Sequence, residues 1–387
     1  MENFTYCTPT KLIFGKDSIK QLPSVIAPLG KRVLLTYGGG SIKKIGLYDE
    51  VRKLLSGCEV YELSGIEPNP KYTTSVLGGV KLCKEHNIDV VLAVGGGSVL
   101  DCSKAICAGA LYNGEPWDLI TYKVKAKAAL PLVTVLTLAA TGSEYDSGCV
   151  ISRTETNDKV GYLDDHLFPN TSILDPCYTF SVSKRQTAAG AADAINHIIE
   201  QYFCEKHSDL TDGMCESAIK SLIKNARIAL EDPENYEARG EFMVDCSLAC
   251  NNILSIGNSY SGWPCHGIEH ALSAYYDITH GEGLAIITPR WLRHILNDNT
   301  IERFVSFGTH IFGIDPSLPD SEIADKMIDK MYKLFESFSI PMHLKDVGID
   351  ESRLGEMAHH IAVNEGLENA WAPLSEKDIL EILVASL

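Results

Sequence analysis

The chain is expected to fold as an α/β domain followed by an all-helical one, the first a Rossmann-like parallel sheet. Three observations predict this. Up to about residue 180, short β-rich runs alternate with helical periodicity; two of those runs end in glycine triplets; and from about residue 184 strand-like runs nearly vanish in favour of long helical segments. The expected domains are 1–182 and 183–387. A length of 387 residues suits two cores, since one core stops growing well before that size.

In order, the β-rich runs are RVLLTY at 32–37, EVYEL at 59–63, IDVVLAV at 88–94 and LPLVTVLT at 130–137. Helix-like segments near 43–56, 72–86 and 98–110 separate them, which is the βαβ rhythm of a parallel sheet covered on both faces. GCVIS at 148–152, KVGYL at 159–163 and TSILD at 171–175 follow as extra strands, because β-branched residues alternate there between turn-rich flanks. The helical half opens with RQTAAGAADAINHIIEQYFCEK and continues to Leu387.

RVLLTY runs into Gly38-Gly39-Gly40-Ser41, and VVLAV runs into Gly95-Gly96-Gly97-Ser98. Glycines at the carboxyl end of a parallel strand allow a tight turn and a close ligand approach, and the next helix offers free N–H groups to a phosphate. Gly38, Gly39, Ser41, Gly96, Gly97 and Ser98 are therefore candidate nucleotide contacts. Neither triplet has GxGxxG spacing, so each can also be read as a plain strand-to-helix turn. Asp101 sits in the first turn after the second triplet, where a carboxylate also complements the helix dipole. A hydroxyl-rich loop, Leu136 to Glu144, follows the fourth run and brings Thr137 and Leu138 to the same strand ends.

Asp193 and His197 are four residues apart, as are His266 and His270, and His280 follows shortly after. An i, i+4 pair shares one helix face, about 5–6 Å apart at Cβ, so either pair can hold a single cation. Imidazoles with one carboxylate suit Fe²⁺ or Zn²⁺, whereas Mg²⁺ and Ca²⁺ take oxygen shells. Any one of these histidines alone reads as packing, since the chain has twelve.

A formal charge of -17, from 34 Lys and Arg against 51 Asp and Glu, repels phosphate backbones and anionic surfaces, which argues against nucleic acid as a partner. No apolar run reaches the ~18–20 residues of a membrane span. The first residues lack a basic and apolar leader, so a cytoplasmic location is expected. The twelve cysteines lack CxxC spacing and read as buried, reduced side chains.

GGGSVLD at 95–101, the ATGSE loop at 140–144, DAINHIIEQ at 193–201 and HGIEHALSAYYDITHGEG at 266–283 together closely resemble the iron-containing, group III alcohol dehydrogenases, in particular their butanol-dehydrogenase branch. The resemblance spans essentially the whole chain. It implies that Asp193, His197, His266 and His280 coordinate Fe²⁺, with Zn²⁺ as an alternative, and that His270 lies beside the substrate and moves a proton. It also implies that Gly97, Ser98 and Asp101 meet the pyrophosphate and nicotinamide, with Asn69, Thr137 and Lys159 lining the site. A small aldehyde or primary alcohol as substrate, and a homodimer, follow in the same way.

Two departures bear on the cofactor. Leu138 stands where the family usually has the residue after its paired threonines. Gly39 stands where many NAD-preferring members carry an Asp for the adenosine ribose. Without that carboxylate a 2′-phosphate is not repelled, and Ser41, Lys43 and Lys44 are near in sequence, so NADP(H) is expected over NAD(H). A glycerol or polyol dehydrogenase of the same architecture and an NADPH-holding redox sensor are the alternatives.

Overall fold

The computed structural model describes all residues from Met1 to Leu387, and they form two compact units. The first comprises Cys7–Ser183 and Asp232–Asn251. Its strands are β1 (Lys11–Phe14), β2 (Arg32–Tyr37), β3 (Glu59–Leu63), β4 (Val90–Gly95), β5 (Leu132–Leu136), β6 (Gly148–Arg153), β7 (Asp158–Leu163) and β8 (Thr171–Leu174). Six of them make a parallel sheet in the order β1-β8-β5-β4-β2-β3. Val33, Leu35, Val90, Leu92, Val133 and Val135 are wholly buried toward one face. Leu34, Val91 and Ala93, which alternate with them, are equally buried. Burial on both faces explains why these strands read as continuous apolar runs.

Six helices belong to the same stretch: α1 (Leu22–Ile26), α2 (Ser41–Lys44), α3 (Leu47–Leu54), α4 (Leu77–His86), α5 (Gly97–Leu111) and α6 (Trp117–Ile120). The helix expected over 43–56 is two, because Gly46 between them takes φ 78, a left-handed conformation that ends one helix and starts the next. GCVIS and KVGYL are strands, but they pair with each other as an antiparallel ribbon outside the parallel sheet. The edge strand β1 carries no sequence expectation, since four residues are too few to show a period.

The second unit comprises Met1–Tyr6, Lys184–Glu231 and Asn252–Leu387. Its helices are α7 (Lys184–Tyr202), α8 (Asp209–Glu231), α10 (Pro264–Tyr276), α11 (His280–Ile295), α12 (Ile301–His310), α13 (Asp320–Ser337), α14 (Leu354–Asn364) and α15 (Glu376–Ala385); α9 (Tyr236–Ala249) lies in the first unit. The expected single helical domain over 183–387 is corrected at that point. Gly240 of α9 packs on Phe14 and Pro176, and Ser247 Oγ hydrogen-bonds the Glu144 carboxylate. Residues 1–6 likewise join the helical unit, with Glu2 N–H donating to Gly257 O at 2.8 Å and its carboxylate 2.7 Å from Lys206. No helix is long and apolar enough to cross a membrane.

Within the helical unit α7 is buried almost throughout from Thr187 to Tyr202. Its run Ala188-Ala189-Gly190-Ala191-Ala192 presents little side-chain bulk, which lets α11 approach closely. Asp193 and His197 emerge from that buried helix, so their polar atoms need partners in the interior.

Candidate active site

Asp193 and His197 lie one turn apart on α7, 3% and 5% exposed. His266 comes from the first turn of α10, and His280 is the first residue of α11. The Nε2 atoms of His197, His266 and His280 stand 3.3, 3.8 and 3.7 Å from one oxygen, Asp193 Oδ1. Two donors each ~2.1 Å from a shared ion at a tetrahedral angle are about 3.4 Å apart; donor atoms of Asp193, His266 and His280 lie within 4.8 Å of one another, as a shared cation needs, while His197 joins them through its approach to Asp193. Asp193 Oδ1 and His266 Nε2 are buried and make no hydrogen bond. In an interior where buried polar atoms are paired, two such atoms facing each other fit a bound ion.

The protonation pattern divides the donors: His197 is ready for a cation, whereas His266 must give up a proton to bind one. Burial lowers His197 to about 3 against the pull of Asp193, so its ring is neutral at pH 7, the form that binds a metal. Burial acts the same way on His266, but Glu200 and Asp193 outweigh it and raise that group to about 9. Burial would raise the Asp193 carboxyl, yet His197 and the two other imidazoles hold it well below the usual carboxylate range. His270 sits beside this cluster, its ring 5.8 Å from that of His280 and 6.4 Å from that of His266. It shares a second group of potential donors with Glu269 and His280.

In the sheet unit the two glycine turns leave neighbouring strands, since Tyr37 of β2 is in register with Val94 of β4. The chain passes from β2 outward to β3 and then back across to β4, so both turns flank the point where strand order reverses. Open α/β sheets bind nucleotides in that crevice. Gly39 is open, with no atom within 4 Å of an added β-carbon, while Gly40 takes φ 106. At Gly97 a β-carbon would lie 2.5 Å from Thr141 Cγ2, and at Gly96 3.0 Å from Leu138 Cβ. The facing loop thus crowds both positions whatever ligand they meet, Gly97 more severely than Gly96. Ser98 follows in the first turn of α5 and is half-buried. Thr137 N–H donates to Gly95 O at 3.0 Å, which brings Thr137 and Leu138 alongside the second turn.

Other candidates sit differently from their expected surroundings. Asp101 is turned inward: Oδ1 accepts from Ser143 Oγ at 2.6 Å and Oδ2 from Val150 N–H at 2.9 Å. Burial raises its carboxyl to about 6. It fastens α5 to the following loop and to β6, so any effect on a cofactor passes through those segments. Lys104, wholly buried, ties down the same loop through Asp146 Oδ1 at 2.6 Å and Gly148 O at 2.7 Å. Lys159 is a buried residue of the β6–β7 ribbon opposite Ser152, which rules out a solvated surface lysine. Asn69 takes φ 47 in the loop after β3. Ser41 opens the short helix α2 and is exposed, and Lys43 lies over the rings of Tyr37 and Tyr48 at 5.1 and 4.7 Å.

Two family descriptions match this chain along nearly its whole length. Residues 9–176 match iron-containing alcohol dehydrogenase, and residues 187–387 match the C-terminal part of the Fe-containing alcohol dehydrogenase family. The chain belongs to the iron-containing alcohol dehydrogenase family. Among its relatives, NADH-dependent butanol dehydrogenase A of Clostridium acetobutylicum is 46% identical over 100% of both chains. NADPH-dependent aldehyde reductase YqhD of Escherichia coli is 39% identical over 92% of this chain and 91% of its own. The crystal structure of NADH-dependent butanol dehydrogenase A from Thermotoga maritima superposes with a TM-score of 0.95 at 38% identity, covering 100% of this chain and 99% of that one. This iron-containing alcohol dehydrogenase is accordingly an alcohol and aldehyde oxidoreductase.

Sequence reasoning missed two residues of this dehydrogenase that touch the cluster. Glu200 Oε2 contacts His266 Nδ1, and Glu269 Oε2 contacts His280 Nδ1, with both carboxylates wholly buried. Spacing hinted only at a shared helix face, with Glu200 three residues after His197 and Glu269 three after His266, and did not show which ring either carboxylate meets.

Proposed function

We propose that this chain reduces small neutral aldehydes to primary alcohols, and catalyses the reverse, with a divalent ion held by Asp193, His197, His266 and His280. The observation that carries the reading is the convergence of three imidazole Nε2 atoms on one buried carboxylate oxygen. Fe²⁺ is the preferred ion and Zn²⁺ the alternative, since the same donor set suits both. When bound, the ion supplies Lewis-acid polarisation of the carbonyl oxygen.

The protein's own groups do the rest. His270, beside His266 and His280, exchanges the proton with the substrate oxygen. The ring of Trp263, 5.2 Å from that of His266, walls the donors on one side. Gly96, Gly97 and Ser98 present the start of α5 to the pyrophosphate of a nicotinamide cofactor, and Gly38, Gly39 and Ser41 frame its adenosine end. Asn69, Thr137, Leu138 and Lys159 complete that cofactor site, and Asp101 holds the loop beside it. The open position at Gly39 and the exposed Lys44 support NADP(H) over NAD(H), although two relatives 46% identical to this chain carry NADH in their names. The acidic surface disfavours multiply phosphorylated substrates and leaves butanal-like aldehydes as the best fit.

The test is metal analysis of anaerobically prepared protein, followed by butanal reduction with NADPH and with NADH after chelation and after restoring Fe²⁺ or Zn²⁺. Turnover that survives full chelation would overturn the metal reading.

A further inference from the structure

Two carboxylates of the helical unit are wholly buried yet belong to neither a surface ion pair nor the four-donor set. Glu200 lies on the same face of α7 as Asp193 and His197, seven and three residues on. Its Oε2 contacts His266 Nδ1 on α10, while Oε1 accepts from Cys265 N–H at 2.6 Å and, at 3.4 Å, from His266 N–H. The start of α10 needs such an acceptor. Trp263 at its N-cap has φ 51 and ψ 49 and makes no side-chain cap, so the first-turn N–H groups have no local partner. Glu269 repeats the arrangement one helix further. Its Oε2 contacts His280 Nδ1 on α11, and its Oε1 accepts from Ser273 Oγ.

A carboxylate against Nδ1 makes that nitrogen the proton donor and leaves the lone pair of Nε2 for another partner. In both rings Nε2 is the atom that faces Asp193, at 3.8 and 3.7 Å. Each helix therefore orients a histidine on the next: α7 holds a ring of α10, and α10 holds a ring of α11. His197 differs, because its Nδ1 is buried without a hydrogen bond and its ring is located by stacking on His266 at 4.9 Å.

We infer that Glu200 and Glu269 are positioning residues that set the affinity of the site for a divalent ion by fixing His266 and His280 across helix boundaries. The inference rests on the reading of Asp193, His197, His266 and His280 as metal donors. It is tested with Glu200→Gln and Glu269→Gln, which keep the side-chain shape and remove the charge, and with His266→Ala as a control. Zn²⁺ affinity is measured by chelator competition, alongside the melting temperature with and without Zn²⁺ and the visible absorption of the Co²⁺-loaded protein. Each Gln variant should bind Zn²⁺ about 10–100-fold more weakly, with altered Co²⁺ bands and a smaller metal-induced rise in melting temperature. A lowered melting temperature without metal, combined with unchanged affinity and unchanged Co²⁺ bands, would make both residues merely structural and overturn the inference. If only His266→Ala loses the metal, the donor set stands and the inference falls; if His266→Ala binds as tightly as the parent, the donor set itself falls. Should Glu200→Gln fail to fold because it also caps α10, Glu269→Gln, whose carboxylate contacts the side chains of His280 and Ser273, decides the outcome.

Discussion

Gly281 faces the backbone of Ala189 so closely that a β-carbon there would stand 2.0 Å from the Ala189 carbonyl oxygen. The contact joins α11 to α7 immediately beside His280 and four residues before Asp193. No side-chain rotation relieves it, because the obstructing atom is main chain. Gly281→Ala should push the two helices apart, costing about 1–3 kcal/mol or more as an overpacked core does, and should weaken metal binding as His280 moves from Asp193. Thermal melting of the metal-free protein and Zn²⁺ titration check the two effects. A variant as stable as the parent would show that the two helices tolerate a wider separation.

Removing a donor acts on chemistry more than on fold. His266→Ala should lose the ion and slow butanal reduction by about a thousandfold or more, since the polarisation an ion supplies is worth several kcal/mol. NADPH binding should largely survive, because no candidate cofactor residue lies on α10. Metal content, single-turnover rates and NADPH fluorescence titration separate these effects. A variant that keeps its metal and its turnover would remove His266 from the donor set.

The part of this site that was legible in the sequence is the part set by local geometry. Asp193 and His197 are four residues apart, and helix periodicity alone puts them on one face. The turn after β4 was legible for the same reason, as an apolar run meeting three glycines. Glu200 was not, because its partner His266 lies 66 residues away on another helix, and only packing brings them together. A glutamate inside INHIIEQY looks like a solvated position until α10 covers it. Asp101 shows a further limit: expected in the first turn of α5, it lies in the second because the helix already starts at Gly97, and its inward turn to Ser143 and Val150 depends on how the loop and the β6–β7 ribbon fold back. In the same way, nothing in the helical pattern of α9 shows that it packs with the sheet unit.

Cofactor choice can be tested at one open position. Gly39 has a backbone any residue can adopt and no neighbour within 4 Å of an added β-carbon, so Gly39→Asp introduces a carboxylate with little cost to the fold. That carboxylate would bond a ribose 2′-hydroxyl and repel a 2′-phosphate. The ratio of kcat/KM for NADPH to that for NADH should fall at least about tenfold, equivalent to ~1.4 kcal/mol. An unchanged ratio would place the adenosine ribose away from residue 39.

Glu144 should make the sheet unit sensitive to pH. It is 1% exposed, with its carboxylate on Ser247 Oγ and its carbonyl accepting from Ser172 Oγ at 2.6 Å. Burial raises its pKa to about 7 from a usual value of 4.5, against the opposing hydrogen bond from Ser247. The folded state then holds the proton more tightly than the unfolded chain does. Its contribution is fully present below about pH 4.5, declines as pH rises, and is lost above about pH 7. Glu144→Gln has no proton to lose, and its amide oxygen can still accept from Ser247. Relative to the variant, the parent should lose up to about 3 kcal/mol of stability between pH 5 and 8. Asp101 adds a slope of the same sign, but it is common to both proteins and drops out of their difference. Denaturant unfolding of both proteins at several pH values across that range, followed by a probe on α9, measures that difference; curves that stay parallel would mean Glu144 is ionised in the folded protein without penalty.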